Sequence, residues 1–254
     1  MPRQSDANLL IVNADDWGYD EPTTSAIVDC HLAGGVTSTT AMAFMRGSRA
    51  AVAQKSRLPG LGVGLHLNFT EEYSDSRIPI KIRDRQRSLI EYFEKLRARR
   101  WLYDPRIRDT VNRVIADQYQ YFVDLYGRQP THIDGHHHSH FTTNVLLSPA
   151  MPAKTKIRNA LSDAHRPNPI TDVLRYVRAR IISRRFRTTD YFFDINTVWP
   201  KLSGDPPSTK LYLARRASVE VMVHPAFPEE YEPLQSPAWV RAIRQFHTGT
   251  FEDL

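Results

Sequence analysis

The sequence predicts an α/β fold with parallel strands, on three observations. Short apolar or β-branched runs alternate with helical stretches, the links between them are short, and four of the strands end in a residue able to bind metal or carry a proton. A chain of 254 residues suits one α/β barrel. One domain is expected over 1–254, with an insertion at about 71–108.

The apolar run Leu9–Val12 reads as a buried parallel strand that ends in Asp15-Asp16, followed by Trp17-Gly18. Thr23–Leu32 is helical and stops at Gly34-Gly35. Val36–Ala43 is β-branched enough for a second strand, Ser48 is placed to cap a short helix over Arg49–Lys55, and Leu61–Leu67 is a third strand. From Glu71 to Arg108 charges crowd in around one clear helix, Leu89–Arg99; this is the insertion, read as a lid over the site. Thr110–Tyr126 is a long helix ended by Gly127, and Thr131–His136 the next strand. Lys154–Ile157 is a short strand leading into Arg158, and Asp172–Ser183 an arginine-rich helix. A strand over Tyr191–Asp194, a helix over Thr209–Arg215, the apolar strand Val219–Val223 ending in His224-Pro225, and a helix over Pro237–Phe246 complete the chain.

Composition excludes several classes. Hydrophobic residues make up 41% and charged residues 24%, ordinary for a globular protein with a core. No run is long enough to span a bilayer, and the start Met1–Asp6 is a polar lead-in rather than a leader. The single cysteine, Cys30, forbids an internal disulfide and sits on a helix as a small core residue. A cytoplasmic location is the expectation. The net charge of +6 is concentrated in Arg77–Arg108 and Arg175–Arg187; a solvated basic face is the default reading of such segments, and attraction to an anionic partner the sharper one.

The candidate site is the set of strand ends: Asp15 and Asp16 on the first strand, His66 on the third, His136 on the fourth, His224 on the last. Parallel strands deliver their C-terminal ends to one side of the sheet. Neighbouring strand residues point to opposite faces, so Asp15 and Asp16 are expected to divide the work, one on a metal and one as a base. The alternative for that pair, a turn or a helix cap, leaves the histidines unexplained. In His132–His140, a persisting strand would put His132, Asp134, His136, His138 and His140 on one face and His137 on the other. Not all of these can be ligands; some would orient a ligand's ring or contact substrate. Two imidazoles and a carboxylate with open positions suit one catalytic divalent ion: magnesium or zinc, with manganese, cobalt or nickel admitted. There is no cysteine ligand pattern, no phosphate-cradling glycine loop and no G-x-S-x-G elbow, which leaves hydrolysis by metal-activated water. Two rival functions are a metal-dependent phosphoesterase on a sugar phosphate, using the arginine-rich segments as clamps, and a non-enzymatic binder of anionic ligands.

Five blocks resemble the YdjC-like carbohydrate deacetylases, a family that includes the chito-oligosaccharide deacetylases. They are Leu10–Gly18 (with Trp17 where the family usually has Phe), Ala33–Thr40, Gly64–Leu67, Thr131–His138 (with Gly135 in place of the usual Ser) and Glu220–Phe227. They occur in the family's order over some nine-tenths of the chain; Glu71–Arg108 and Phe141–Thr189 are not placed by it. The resemblance implies a distorted (β/α) barrel with fewer than eight regular strands. It implies Asp16, His66 and His136 as metal ligands, Asp15 as general base, His224 as general acid and Arg158 as the arginine that orients the base. The expected substrate contacts are Trp17, at the pocket rim beside the base, with His138 and Phe227. The implied reaction removes the N-acetyl group of an amino sugar or N-acetylated saccharide; no nucleic acid or membrane-spanning segment is expected, and a homodimer is compatible with the resemblance.

Overall fold

The computed structural model describes residues 8–95, 102–159, 169–199 and 208–254. The lead-in Met1–Asp6 and the far end of the helix expected over Leu89–Arg99 lie outside these. Six parallel strands form one sheet in the order β4-β3-β2-β1-β6-β5. The strands are β1 (Leu9–Trp17), β2 (Ser38–Met42), β3 (Gly62–Leu67), β4 (Ile133–Gly135), β5 (Tyr191–Asp194) and β6 (Ser218–Val223). The sheet curls into a half-barrel, and beyond β4 two isolated parallel bridges, Ile133 to Ile157 and Lys156 to Arg187, continue the curl toward β5. Those bridges are all that forms of the strand expected over Lys154–Ile157.

The crossovers are α1 (Glu21–Leu32), α2 (Ser48–Lys55), α3 (Ile80–Lys95), α4 (Arg108–Tyr126), α5 (Thr143–Leu146), α6 (Pro169–Arg185), α7 (Ile195–Val198), α8 (Pro228–Gln235) and α9 (Pro237–Ile243). α1 starts earlier than its apolar periodicity suggests, because Asp20 caps it by accepting from the Thr23 amide at 2.9 Å and Pro22 sits in its first turn. Ser48 is the first residue of α2 rather than its cap: its hydroxyl donates to the Met42 carbonyl at 2.8 Å and accepts from the Met45 amide. α4 ends at Gly127, whose φ of +64° is cheap only for glycine. The helix expected over Thr209–Arg215 is a 3-10 turn, Leu211–Arg215, and α8 was not foreseen.

Alternation along β1 sorts the core into two compartments. Leu10, Val12 and Ala14 join the large apolar core, whereas Leu9 and Ile11 pack with Phe251. Phe251 also stacks on His132, with ring centroids 3.6 Å apart. Hydrophobic groups thus plug the N-terminal end of the barrel interior. The same inward face continues through Asn13 to Asp15, and there the interior turns polar.

In the described part of 71–108, α3 packs against α4 and buried amides fasten the segment down. Gln86 donates to the Glu71 carbonyl at 2.7 Å and accepts from the Tyr73 amide, while Gln118 on α4 accepts from the Asn68 amide at 2.7 Å.

Candidate active site

The polar interior layer is drawn from five elements. Asn13 and Asp15 come from β1, Thr40 from β2, His66 from β3, Asp134 from β4 and Glu220 from β6, all buried. Arg158, beyond the Ile157 bridge, is also fully buried and forms their hub. Its Nη1 donates to Asp15 Oδ2 at 2.7 Å and its Nη2 to Asp15 Oδ1 at 2.6 Å. Nη2 also lies 2.9 Å from Asp134 Oδ2, and Nε donates to Glu220 Oε1 at 2.7 Å. Burial opposes the charge on Arg158, but Asp134, Asp15 and Glu220 together hold its pKa well above the usual value.

Asp15 and Asp16 reach the site by a break in the strand. Ala14 pairs with Thr39 and Trp17 with Ala41, so β1 spends one residue more than β2 over this stretch. Asp16 absorbs the extra residue with a φ of +72°, a strained conformation for a side chain other than glycine. Strict alternation, expected from the sequence, would have sent the two carboxylates apart; the bulge sends both to the site. The division of labour survives through their partners instead.

Asp16 Oδ1 lies 3.3 Å from His66 Nε2 and 3.1 Å from His136 Nδ1. These three side chains are close enough to hold one ion. Burial works against the Asp16 charge, yet the hydrogen bonds from His136 and His66 outweigh it and keep the carboxyl far below its ordinary range. The remaining nitrogen of His66, Nδ1, meets Asp134 Oδ1 at 2.7 Å, the carboxylate–histidine pairing that fixes the ring and leaves Nε2 for a metal. Thr40 Oγ1 donates to Asp134 Oδ2 at 3.1 Å. A second grouping, Asp15, His66 and Asp134, is equally compact. Its two carboxylates already share Arg158, and His66 would have to give up the nitrogen that Asp134 holds. The donor set therefore fits a divalent cation at Asp16, His66 and His136.

The histidine run does not continue as a strand. β4 ends at Gly135, and His136–Phe141 turns tightly, with φ of +50° at His137 and +54° at His138. The single-face arrangement expected for His132 to His140 is thus corrected. A Cβ at Gly135 would stand 2.8 Å from the His140 amide nitrogen, which explains why this chain has glycine there. His140 is buried, and His132 stays in the plug below. His138 is exposed at the mouth, its ring edge-on to Phe192 at 5.7 Å; burial of its ring atoms and the Arg158 charge lower its pKa to about 4 against the pull of Asp15 and Asp134.

On the opposite rim, His224 follows β6. Its Nε2 is 3.8 Å from Asp15 Oδ2, and its Nδ1 is 3.9 Å from Glu230 Oε2, which also accepts from the His224 amide at 2.6 Å. Phe227, 52% exposed, lies 5.9 Å from the His224 ring. The structure thus gathers Asp15, Asp16, His66, His136, Arg158 and His224 at one end of the sheet, with His138 and Phe227 at its mouth. Trp17 is the exception. It is fully buried and its Nε1 donates to Tyr126 Oη at 3.0 Å, because the residue after the bulge points back into the core. Trp17→Phe is expected to cost about 1–2 kcal/mol by loss of that hydrogen bond and some packing, with kcat/KM unchanged; a clear fall in kcat/KM would return Trp17 to the pocket.

Sequence reading missed Glu220 and Glu230 as functional groups, and named Asp134 only as one of a set from which some would orient a ligand's ring. The available signal was a lone charge inside an apolar strand, Val219-Glu220-Val221, since a buried carboxylate persists only with a partner. Burial pushes Glu220 up to about 7 against the pull of Arg158.

Two buried histidines set a pH limit on the fold. Burial lowers His132 to about 3 and His140 well below its usual value. Both are neutral in the folded chain, so below pH 6.5 the unfolded chain binds more protons and stability falls by about 1.4 kcal/mol per pH unit for each, while Glu220, raised to about 7 by burial, offsets one of these two shares until pH nears its unfolded value. His66 does not offset this. The Asp134 charge raises its pKa despite burial, so its contribution is complete below pH 6.5 and is lost only as pH rises through the folded value. Urea denaturation of metal-stripped protein at pH 6.5 and 5.0 checks the slope, and an unchanged midpoint would contradict it.

Among the described residues no helix is long and apolar enough to cross a membrane. A family model described as YdjC-like protein matches residues 9–247. The chain is 34% identical over 273 aligned positions to a chitooligosaccharide deacetylase of Proteus mirabilis (strain HI4320), covering 98% of this chain and 99% of the relative. It is 32% identical over 278 positions to one from Enterobacter sp. (strain 638), covering 97% and 99%. Among solved structures, an Enterococcus faecalis V583 protein provisionally named a cellobiose-phosphate cleavage protein superposes with a TM-score of 0.67 at 24% identity, over 98% of each chain, which shows a shared fold. With the family model spanning the sheet and every residue of the candidate site, this chain belongs to the YdjC-like family.

Proposed function

We propose that the chain is a metal-dependent carbohydrate N-deacetylase, hydrolysing the acetamide of an N-acetylated amino sugar. The observation that carries this reading is a carboxylate beside a cation site but not part of it. Asp15 is clamped by Arg158 while Asp16, His66 and His136 converge next door. The substrate class follows from the relatives named chitooligosaccharide deacetylases.

Asp16, His66 and His136 would hold the divalent ion. When bound, it polarises the acetyl carbonyl and acidifies a water. Asp15 is the base, and its two oxygens are not equivalent. Oδ1 accepts from both Arg158 Nη2 and Asn13 Nδ2, the latter at 2.9 Å, whereas Oδ2 accepts from Arg158 Nη1 alone and faces His224. Oδ2 therefore takes the proton as the water oxygen adds to the carbonyl carbon. An amine leaves only when protonated; His224 Nε2 gives its proton to the nitrogen as the C–N bond breaks, releasing acetate and the free amino sugar. Glu230 fixes the loop that carries His224. His138 and Phe227 flank the opening as sugar contacts, and the described part of the insertion expected at 71–108 would shape it.

Several described arginines of the two basic segments are already engaged within the chain, which weighs against the phosphoesterase alternative. Arg77 pairs with Asp75, Arg85 with Asp117, Arg87 with Glu72 and Arg106 with Asp104, while Arg185 binds backbone carbonyls. The test is acetate release from free, oligomeric, phosphorylated and lipid-linked N-acetylglucosamine, with phosphate release followed in parallel. Acetate release that disappears on chelation and returns with zinc, magnesium or manganese is the expected result. No acetate from any substrate, with protein shown to bind a divalent ion, would sink the deacetylase reading.

A further inference from the structure

Glu220 lies under the site and touches neither the cation ligands nor the mouth. It is the one charged residue of β6, fully buried on the strand face opposite to that of Val219 and Val221. A carboxylate in that position is expensive to bury. Its Oε1 accepts from Arg158 Nε at 2.7 Å, and its Oε2 is buried without a hydrogen-bond partner among the described residues.

A guanidinium can face a carboxylate with either of two edges, the Nη1/Nη2 edge or the Nε/Nη edge, and both make parallel pairs of hydrogen bonds. Arg158 shows Asp15 the Nη1/Nη2 edge. That choice leaves Nε–H pointing away from Asp15 and needing its own acceptor, which Glu220 supplies. The Phe192 ring lies 5.2 Å from the guanidinium carbon and limits movement on one face. With no acceptor at Nε, turning the Nε/Nη2 edge onto Asp15 or Asp134 would pair every donor on that edge. The same turn would change which oxygen of Asp15 is left open.

We propose that Glu220 is a positioning residue for the deacetylation: by occupying Arg158 Nε it selects the guanidinium edge that Asp15 sees, and so keeps Asp15 Oδ2 open toward His224. This rests on Asp15 being the base. What Glu220 must provide is an oxygen acceptor at Nε, and a protonated or amide side chain can do that through its carbonyl oxygen. The charged groups facing it are Arg158, Asp134 and Asp15.

Two readouts test the assignment on metal-loaded protein, one of them independent of activity. In 15N NMR, the Arg158 Nε–H, assigned by its loss in Arg158→Lys, is expected as a downfield, slowly exchanging signal. It should persist in Glu220→Gln and vanish in Glu220→Ala. In kinetics, kcat should fall by about fivefold in Glu220→Gln and about a hundredfold in Glu220→Ala, the scale on which groups behind a catalytic residue act. KM should stay within about twofold in both, since ground-state sugar contacts are untouched. Should Glu220→Ala not fold, Glu220→Asp replaces it: the acceptor is withdrawn by one methylene, and both the signal and kcat should fall below those of Glu220→Gln. An Nε–H signal unaffected by loss of the acceptor, a wild-type kcat in Glu220→Ala or Glu220→Asp, or a Glu220→Gln variant as impaired as either would overturn the proposal. A wild-type protein that releases no acetate would defeat the deacetylase reading alone, because the NMR comparison still decides whether Glu220 holds Arg158.

Discussion

Asp15→Asn is expected to lower kcat/KM for acetate release by about a thousandfold, within the range general-base removal produces, while the bound divalent ion is retained. The amide keeps the volume of the carboxylate but cannot accept a proton at neutral pH. It also disturbs the Arg158 clamp. Both Asp15 oxygens accept from guanidinium nitrogens, and Oδ1 accepts from Asn13 as well, so either orientation of an asparagine sets its NH2 against a donor. A loss of stability therefore accompanies the loss of activity, and the measurement must separate them by comparing urea midpoints alongside kcat/KM. Metal content is the deciding third readout. Asp15 belongs to the alternative grouping with His66 and Asp134, not to the one with Asp16 and His136. A variant that keeps its ion supports Asp16, His66 and His136 as the ligands. A variant that loses the ion places the metal in the alternative grouping and removes Asp15 from the role of base.

Arg158→Met should be the most destabilising single change in the site, by about 3–5 kcal/mol at pH 8. One guanidinium serves three buried carboxylates, from Asp15, Asp134 and Glu220. Breaking a buried pair costs more than the pair contributes, since uncompensated charge is left behind. Methionine fills much of the space, so the deficit is electrostatic rather than a cavity. The sign with pH follows. Without Arg158 the carboxylates are pushed above their unfolded values, the unfolded chain holds fewer protons at high pH, and the penalty shrinks as pH falls and they protonate. Glu220, already near 7 with Arg158 present, should protonate first. The gap between variant and wild type in urea midpoint should thus narrow from pH 8 to pH 6. A gap that widens would show that the guanidinium is not offsetting these charges. Arg158→Lys should recover little, because an ammonium cannot fork onto Asp15 while reaching Glu220.

Much of this site was readable before folding. Asp15, Asp16, His66, His136 and His224 were found because each ends a strand, and parallel strands end together. The same rule failed locally for two reasons. The bulge at Asp16 breaks the two-residue period on which strand-face arguments rest, so Asp16 turns to the candidate cation site and Trp17 into the core. The turn after Gly135 breaks it again, separating His138 at the mouth from His140 in the interior. Neither break has a compositional marker, since a non-glycine residue at positive φ is held by its surroundings, not by its own preference.

By itself the sequence determined the α/β alternation, the strand ends that carry chemistry and the family pattern that joins them. These depend on local periodicity and on residue identity, which are present in the unfolded chain. Only the tertiary structure decided which groups share a hydrogen bond: Asp134 behind His66, Glu220 behind Arg158, Glu230 behind the His224 loop. Each of those partners is distant in sequence from the group it serves, and its role exists only once the sheet has curled and excluded water. In that interior an unpaired charge is too costly to keep, so every carboxylate must find its cation or its donor.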